Sequence, residues 1–209
     1  MGKMNRNVPV DASVVMENER HLNLKRALAR HAAWLNLEHG AGIPVEEGVK
    51  PEQLNLKDWF LHEADLTGAN LMFANLEGAK LIKCIFTNAN LRCVNMKNVS
   101  ATGAHFEGAN LSGAEFEYAD LSGACFSSAD MRKASGQNAT LCNTTFEGAN
   151  LSGVDLSGVT LGQTIFRKAN LSGANLGAFN FAKGDFRGAN LTGAQTFESD
   201  SFLKSVTAP

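Results

Sequence analysis

Three things are scarce in this chain: charge of one sign, long apolar runs and cysteine. With 19 Lys plus Arg against 21 Asp plus Glu, the formal net charge over 209 residues is -2. That balance excludes a polybasic nucleic-acid binder and a strongly acidic tail. No stretch approaches the roughly 18 apolar residues of a membrane span, and no basic segment followed by an apolar run opens the chain. A soluble, unexported, cytoplasmic protein without membrane contact is the expectation. Cys84, Cys93, Cys125 and Cys142 form no CxxC pair and are too few for a disulfide scaffold. They read as isolated thiols in a reducing compartment.

What the chain has in abundance is repetition. "FEGANLSG" occurs at Phe106–Gly113 and again at Phe146–Gly153, forty residues on. Stepping by five from Leu56 to Leu191 meets 28 positions, of which only Ala101 and Gly136 are not Leu, Phe or Met. Two residues before each large position stands, most often, Ala, with Asn or Asp between them. A period of five suits neither a helix face nor an alternating strand. If each five-residue unit makes one side of a square coil, the chain returns to its starting side every twenty residues. Sorting by twenties bears out a second period. One column reads Leu66, Phe86, Phe106, Phe126, Phe146, Phe166, Phe186, and the next Leu71, Leu91, Leu111, Met131, Leu151, Leu171, Leu191. Aromatic and aliphatic residues are segregated onto neighbouring sides, which neither three nor five sides per coil would achieve.

In such a coil the large residue and the Ala two before it point inward, and the other three positions face water. Stacking at about 4.8 Å per coil gives about seven coils and a length of roughly 34 Å. Two volume compensations are expected in the interior: Phe116 precedes Gly136 in its column, and Val99 replaces the usual Ala beside Ala101. Glycine recurs two residues after the large position, where a tight corner calls for positive φ. Without GKS or GKT it does not read as a phosphate loop. Lys57, Glu77, Lys97 and Glu117 lie one coil apart, which places unlike charges side by side.

The runs "ADLTGANLMFANLEGAKL", "FEGANLSGAEFEYADLSGACF" and "FRKANLSGANL" resemble the pentapeptide-repeat family. The resemblance covers residues 56–193 and implies an all-β solenoid, a right-handed quadrilateral β-helix. It also implies a candidate partner, since some members mimic duplex DNA, bind DNA gyrase or topoisomerase IV and protect it from quinolones. Other Leu-rich members are bacterial effectors delivered into another cell, a role for which residues 1 to about 20 would supply the signal.

The termini differ from the repeats. In residues 1–55, Leu24, Leu28, His31 and Leu35 recur at helical spacing up to the stop signal at Gly40. They predict an α-helix that caps the first coil, with Trp34, Trp59 and Phe60 at the junction, or else mediates a homodimer. The His, Trp and Leu pattern there resembles the leader of many bacterial family members. Residues 194–209 form a C-terminal cap or tail, with Phe197, Phe202 and Leu203 covering the last coil and Phe179 marking decay of the repeat.

No catalytic, cofactor or metal constellation emerges. His21, His31 and His39 lack ligand spacing on a helix, and His62 and His105 stand at outward positions. Glu115 with Glu117, and Asp120 with Asp130, read as solvated faces. From Leu56 to Leu191 no inserted loop interrupts the register, so there is nowhere to build a cleft. A non-catalytic protein-interaction scaffold is the expectation, monomeric or dimeric through a terminal segment. Its candidate surface is Met72, Phe73, Ile85, Tyr118 and Ile165.

Overall fold

The computed structural model describes residues 22–30, 53–196, 203, 205, 207 and 208. The chain divides into two compact units, Met1–Glu52 and Gln53–Pro209. In the first, residues 22–30 are helical; Leu24 is buried, Leu28 half-buried and Leu22 exposed. His31, Trp34, Leu35 and Gly40 lie outside the described residues.

The second unit is the expected quadrilateral β-helix. Parallel bridges join residue i to residue i+20 from Asn55↔Asn75 to Asn175↔Gln195. Pairing broadens in two places. There β1 (Thr140–Cys142) meets β2 (Thr160–Gly162), and β3 (Thr164–Ile165) meets β4 (Gly184–Asp185).

Each five-residue unit folds the same way for reasons its residues supply. The carbonyl of the large residue accepts the amide three positions on, as in Ala74 N–H to Leu71 O at 3.0 Å. The third residue of that turn takes the left-handed conformation of a type II turn. Glycine serves at Gly108 (φ 66), but Lys83 (φ 55), Asn98 (φ 59) and Tyr118 (φ 59) occupy the same corner. The Asn or Asp before the large residue holds the following corner with its side chain: Asn110 Oδ1 accepts Ser112 N–H at 3.1 Å, and Asp155 Oδ1 accepts Ser157 N–H at 2.9 Å. This local bond is why that position favours a short side chain with a carbonyl or carboxylate oxygen.

The interior is a column of side chains. From Phe86 to Phe166, successive rings stack with centroids 4.6–5.0 Å apart and planes within 9°. Phe186 continues the stack at 4.9 Å. Burying each such ring contributes about 1.5–3 kcal/mol before entropy is subtracted. Ala is required beside it because two bulky residues do not fit one side. Cys84, Thr144 and Thr164 take Ala positions of one column, fully buried, and each donates to a carbonyl of the preceding coil: Leu61, Leu121 and Leu141, at 2.6, 2.8 and 2.7 Å. A buried hydroxyl so paired carries little desolvation cost.

Both expected compensations are inside. A Cβ on Gly136 would fall 2.0 Å from Cε2 of Phe116, whose ring fills that space. Val99 and Ala101 are both buried.

The register, unbroken in sequence, is broken once in space. Where Asn180 should pair with Thr160, the chain instead makes a 3-10 turn, Phe181–Lys183. Phe179 occupies an Ala position, and its ring packs on Phe166, Phe181 and Phe186 at 5.3–5.9 Å. A ring cannot fit where a methyl group belongs without displacing the side. Gly184 completes the adjustment: a Cβ there would meet Phe186 Cε2 at 2.7 Å. Pairing resumes at β4. At the end of the repeats Leu203 is buried, and the Thr207 carbonyl accepts Gly188 N–H at 2.7 Å, as Arg187 O does for Lys168 one coil earlier. Phe197 and Phe202 lie outside the described residues.

Candidate interaction faces

Four sides follow from the four interior columns: side 1 behind Phe86–Phe186, side 2 behind Leu71–Leu191, side 3 behind Leu56, Leu76 and Met96, side 4 behind Leu61 and Leu81. Outward residues on each stand in rows one coil apart.

Side 2 carries an amide ladder. Asn90 Nδ2 donates to Asn70 Oδ1 at 2.9 Å, Asn170 to Asn150 at 3.3 Å and Asn190 to Asn170 at 3.2 Å. Asp130 interrupts it and is gripped by Arg132 through Nε at 2.9 Å and Nη2 at 2.7 Å. That guanidinium holds the Asp130 carboxyl below the ordinary range against a smaller opposing effect of burial. Side 2 is otherwise basic, with Arg92 and Lys133.

Side 3 carries the expected charge ladder. Lys57 Nζ lies 3.2 Å from Glu77, and Lys97 Nζ lies 2.8 Å from Glu115 and 3.8 Å from Glu117. The Glu115 bond, more than any other partner, raises the Lys97 ammonium. Exposed pairs of this kind contribute at most tenths of a kcal/mol each. Asp58 and Asp155 bring side 3 to five acids against two lysines. On side 4, Glu63 and Asp120 face Lys80, Lys83 and Lys183.

Side 1 is bipolar. Its first five coils carry Asp65, Glu107 and Glu147, with His105 Nδ1 on Glu107 Oε1 at 3.0 Å and Glu147 one coil before Arg167. Its late coils carry Arg167, Lys168 and Arg187 around Asp185, which bonds Arg167 Nε at 2.5 Å and Arg187 Nη2 at 2.7 Å. The two guanidinium groups, Arg187 first, hold the Asp185 carboxyl well below the usual carboxylate range.

The apolar outward residues do not form one patch. Met72 and Phe73 are neighbours on side 2, both half-buried. Ile85 and Ile165 are half-buried in one row of side 1, four coils apart, and Tyr118 stands 65% exposed at a corner of side 3. Of the candidate cap residues, Trp59 is half-buried and Phe60 is 67% exposed, stacked on His62. Recesses open among the described residues of the second unit. One, of about 390 Å³, lies between Ala189–Gly193 and Leu203; a second, of about 490 Å³, lies between Gln163–Ile165 and Ala182–Asp185. The second adjoins the Phe181–Lys183 turn, and the sequence signal nearest to it is the oversized Phe179. Among the described residues no three His, Cys, Asp or Glu side chains are grouped to hold a metal ion, and no helix is long and apolar enough to cross a membrane.

A family model described as pentapeptide repeats, in eight copies, matches residues 53–88, 69–107, 95–132, 137–167 and 169–195. Among solved structures, the chain is similar to a trypsin-treated form of QnrB1, a plasmid-mediated fluoroquinolone resistance protein: 18% identity, TM-score 0.44, covering 74% of this chain and 87% of that one. It is also similar to HetL from the cyanobacterium Nostoc sp. strain PCC 7120, a pentapeptide repeat protein involved in heterocyst differentiation regulation. There the identity is 25% and the TM-score 0.26, over 67% of this chain and 84% of that one. A pentapeptide repeat protein from the Arabidopsis thaliana thylakoid lumen matches at 26% identity and TM-score 0.23, over 72% and 77%. No curated protein sequence matches significantly.

Proposed function

This chain belongs to the pentapeptide-repeat family, whose fold is the right-handed quadrilateral β-helix, and on that premise we propose that it is a non-catalytic scaffold whose flat sides dock a protein partner. One observation carries the reading: outward side chains stand in straight rows, repeated coil after coil by parallel pairing from Asn55 to Gln195 and interrupted at Asn180. A regular array of this kind offers long complementary contact without internal motion, which is how solenoids bind. The recesses are open and shallow, a geometry suited to a side chain of a partner more than to an enclosed substrate.

The distribution of charge supports a scaffold over a mimic of duplex DNA acting on a type II topoisomerase. Mimicry needs a row of carboxylates, whereas the most acidic side, side 3, pairs its acids with Lys57 and Lys97. A supercoiling assay with gyrase, with and without quinolone, separates the two; inhibition or protection would favour the mimic.

The scaffold reading is tested by affinity capture from the native cell with the full chain and with alanine variants of Met72 with Phe73, of Ile85, of Ile165 and of Tyr118. Loss of a captured partner in one variant identifies the docking side. Retention in all four removes these residues as the surface, and capture of nothing by the unaltered chain removes the scaffold.

A further inference from the structure

The break at Phe179 leaves a site that the regular repeat does not have. Two coils earlier, the Leu121 amide donates to Thr140 O at 2.9 Å and the Gly123 amide to Cys142 O at 2.8 Å. The corresponding amides, Leu161 and Gln163, make no such bond to the next coil. Asn180 O is engaged within its own turn by Lys183 N–H at 3.0 Å, and Asn180 Oδ1 by Ala182 N–H at 3.2 Å. The recess of about 490 Å³ between Gln163–Ile165 and Ala182–Asp185 is lined by Gln163, whose amide bonds no carbonyl of the next coil, and by Lys183. An exposed amide without a carbonyl partner is open to an incoming acceptor.

The charges around it have one sign in excess. Arg167 and Arg187 share the carboxylate of Asp185, Lys168 stands at the far corner of the same side, and Glu147 stands one coil before Arg167 in its row, which sets three cations against Asp185 and one further acid. Lys183 and Lys168 are both exposed. An unpaired backbone N–H and an ammonium on residues that line one recess suit a carboxylate, and flanking cations suit further carboxylates along an extended segment.

We propose that this recess docks an acidic peptide segment of the protein partner, one carboxylate seated between the Gln163 amide and Lys183 and its neighbours held by Arg167, Arg187 and Lys168. The inference rests on the scaffold reading above and names the chemistry of the partner's docking segment.

The test uses the full chain and a fluorescein-labelled decamer of glutamate, followed by anisotropy at low salt. Lys183→Glu should weaken binding by about tenfold or more, and Lys183→Gln by less, with unchanged circular dichroism. Lys133→Glu, the same charge change on side 2, should leave binding within about twofold, which separates the recess from net charge. Equal losses in Lys183→Glu and Lys133→Glu, or no binding by the unaltered chain, would overturn the proposal. So would a 20-base-pair DNA duplex bound more tightly than the peptide through Lys183. A partner captured from the cell equally well by Lys183→Glu overturns the recess and leaves the scaffold standing. Peptide binding sensitive to Lys183 with no partner captured does the reverse.

Discussion

Gly136 offers a substitution whose sign depends on one neighbour. Its φ is not positive, so Ala there introduces no backbone strain and by itself should stabilise by about 0.4–1 kcal/mol through the unfolded chain. Against that, the new methyl group would lie 2.0, 2.5 and 2.6 Å from Cε2, Cζ and Cδ2 of Phe116. The ring is buried and cannot retreat into solvent. Overpacking of this kind costs about 1–3 kcal/mol, so Gly136→Ala should destabilise by about 1–2 kcal/mol net. Phe116→Leu alone should also destabilise, on the order of 1–3 kcal/mol, since it leaves a void above a residue with no side chain. Combined, Phe116→Leu with Gly136→Ala should recover part of both losses, and Phe116→Leu with Gly136→Leu should rebuild the column seen at Leu156 and Leu176. The coupling is expected to be about 2 kcal/mol or more in favour of the double variant. Urea titration followed by circular dichroism measures it, provided that the slope with denaturant stays constant across the series. Additive effects, or a neutral Gly136→Ala in the unaltered background, would refute the view that Phe116 owns the space.

Two further outcomes follow from the titratable groups. The Cys84 thiol is buried, donates to Leu61 O and is pushed up to about 11 by burial, whereas Cys93 is exposed. At pH 8 iodoacetamide should modify Cys93 and spare Cys84 until the protein is unfolded, as peptide mass spectrometry would show; equal rates would contradict the packing. Asp130 and Asp185, held by Arg132 and by Arg187 with Arg167, and Asp155, where bonds from Ser157, Asn175 and Gln137 outweigh burial, all sit below the ordinary Asp value of 3.8. A depressed native value adds stability above the unfolded value and loses it as pH falls through the native one. The melting temperature should therefore be level from pH 7 to about 5 and fall below about pH 4, less steeply in Asp185→Asn. A fall beginning near pH 6 would contradict the assignment to these carboxylates.

How much of this was legible depends on whether a feature repeats. The Phe column was readable because its period, twenty, differs from the local period, five, and only a square coil reconciles them. Gly136 was readable as a compensation because its column neighbour is the outsized Phe116. The left-handed corners at Lys83 and Tyr118 were not, since the turn imposes that conformation on whichever residue arrives there. Nor were the hydroxyls of Thr144 and Thr164, whose acceptors lie 23 residues earlier. The scattering of Met72, Ile85 and Tyr118 over three sides follows from their positions modulo twenty.

The two oversized residues act in opposite directions, and Phe179 can be used to prove it. Phe116 finds room in the next coil at Gly136, so its misfit stays inside; Phe179 finds none, and its misfit turns outward as the Phe181–Lys183 turn. Phe179→Ala should let Asn180 pair with Thr160 as Thr140 pairs with Asp120, restoring acceptors for the Leu161 and Gln163 amides. The loss of a buried ring normally costs about 3–5 kcal/mol, and two recovered ladder bonds offset about 0.5–1.5 kcal/mol each. The net cost should fall short of an ordinary Phe→Ala change such as Phe126→Ala. Hydrogen exchange should show new protection at Leu161 and Gln163, and binding of the glutamate decamer should drop with it. If those amides stay unprotected while the decamer still binds, Phe179 does not make the recess, and the cause lies in Phe181 or Gly184.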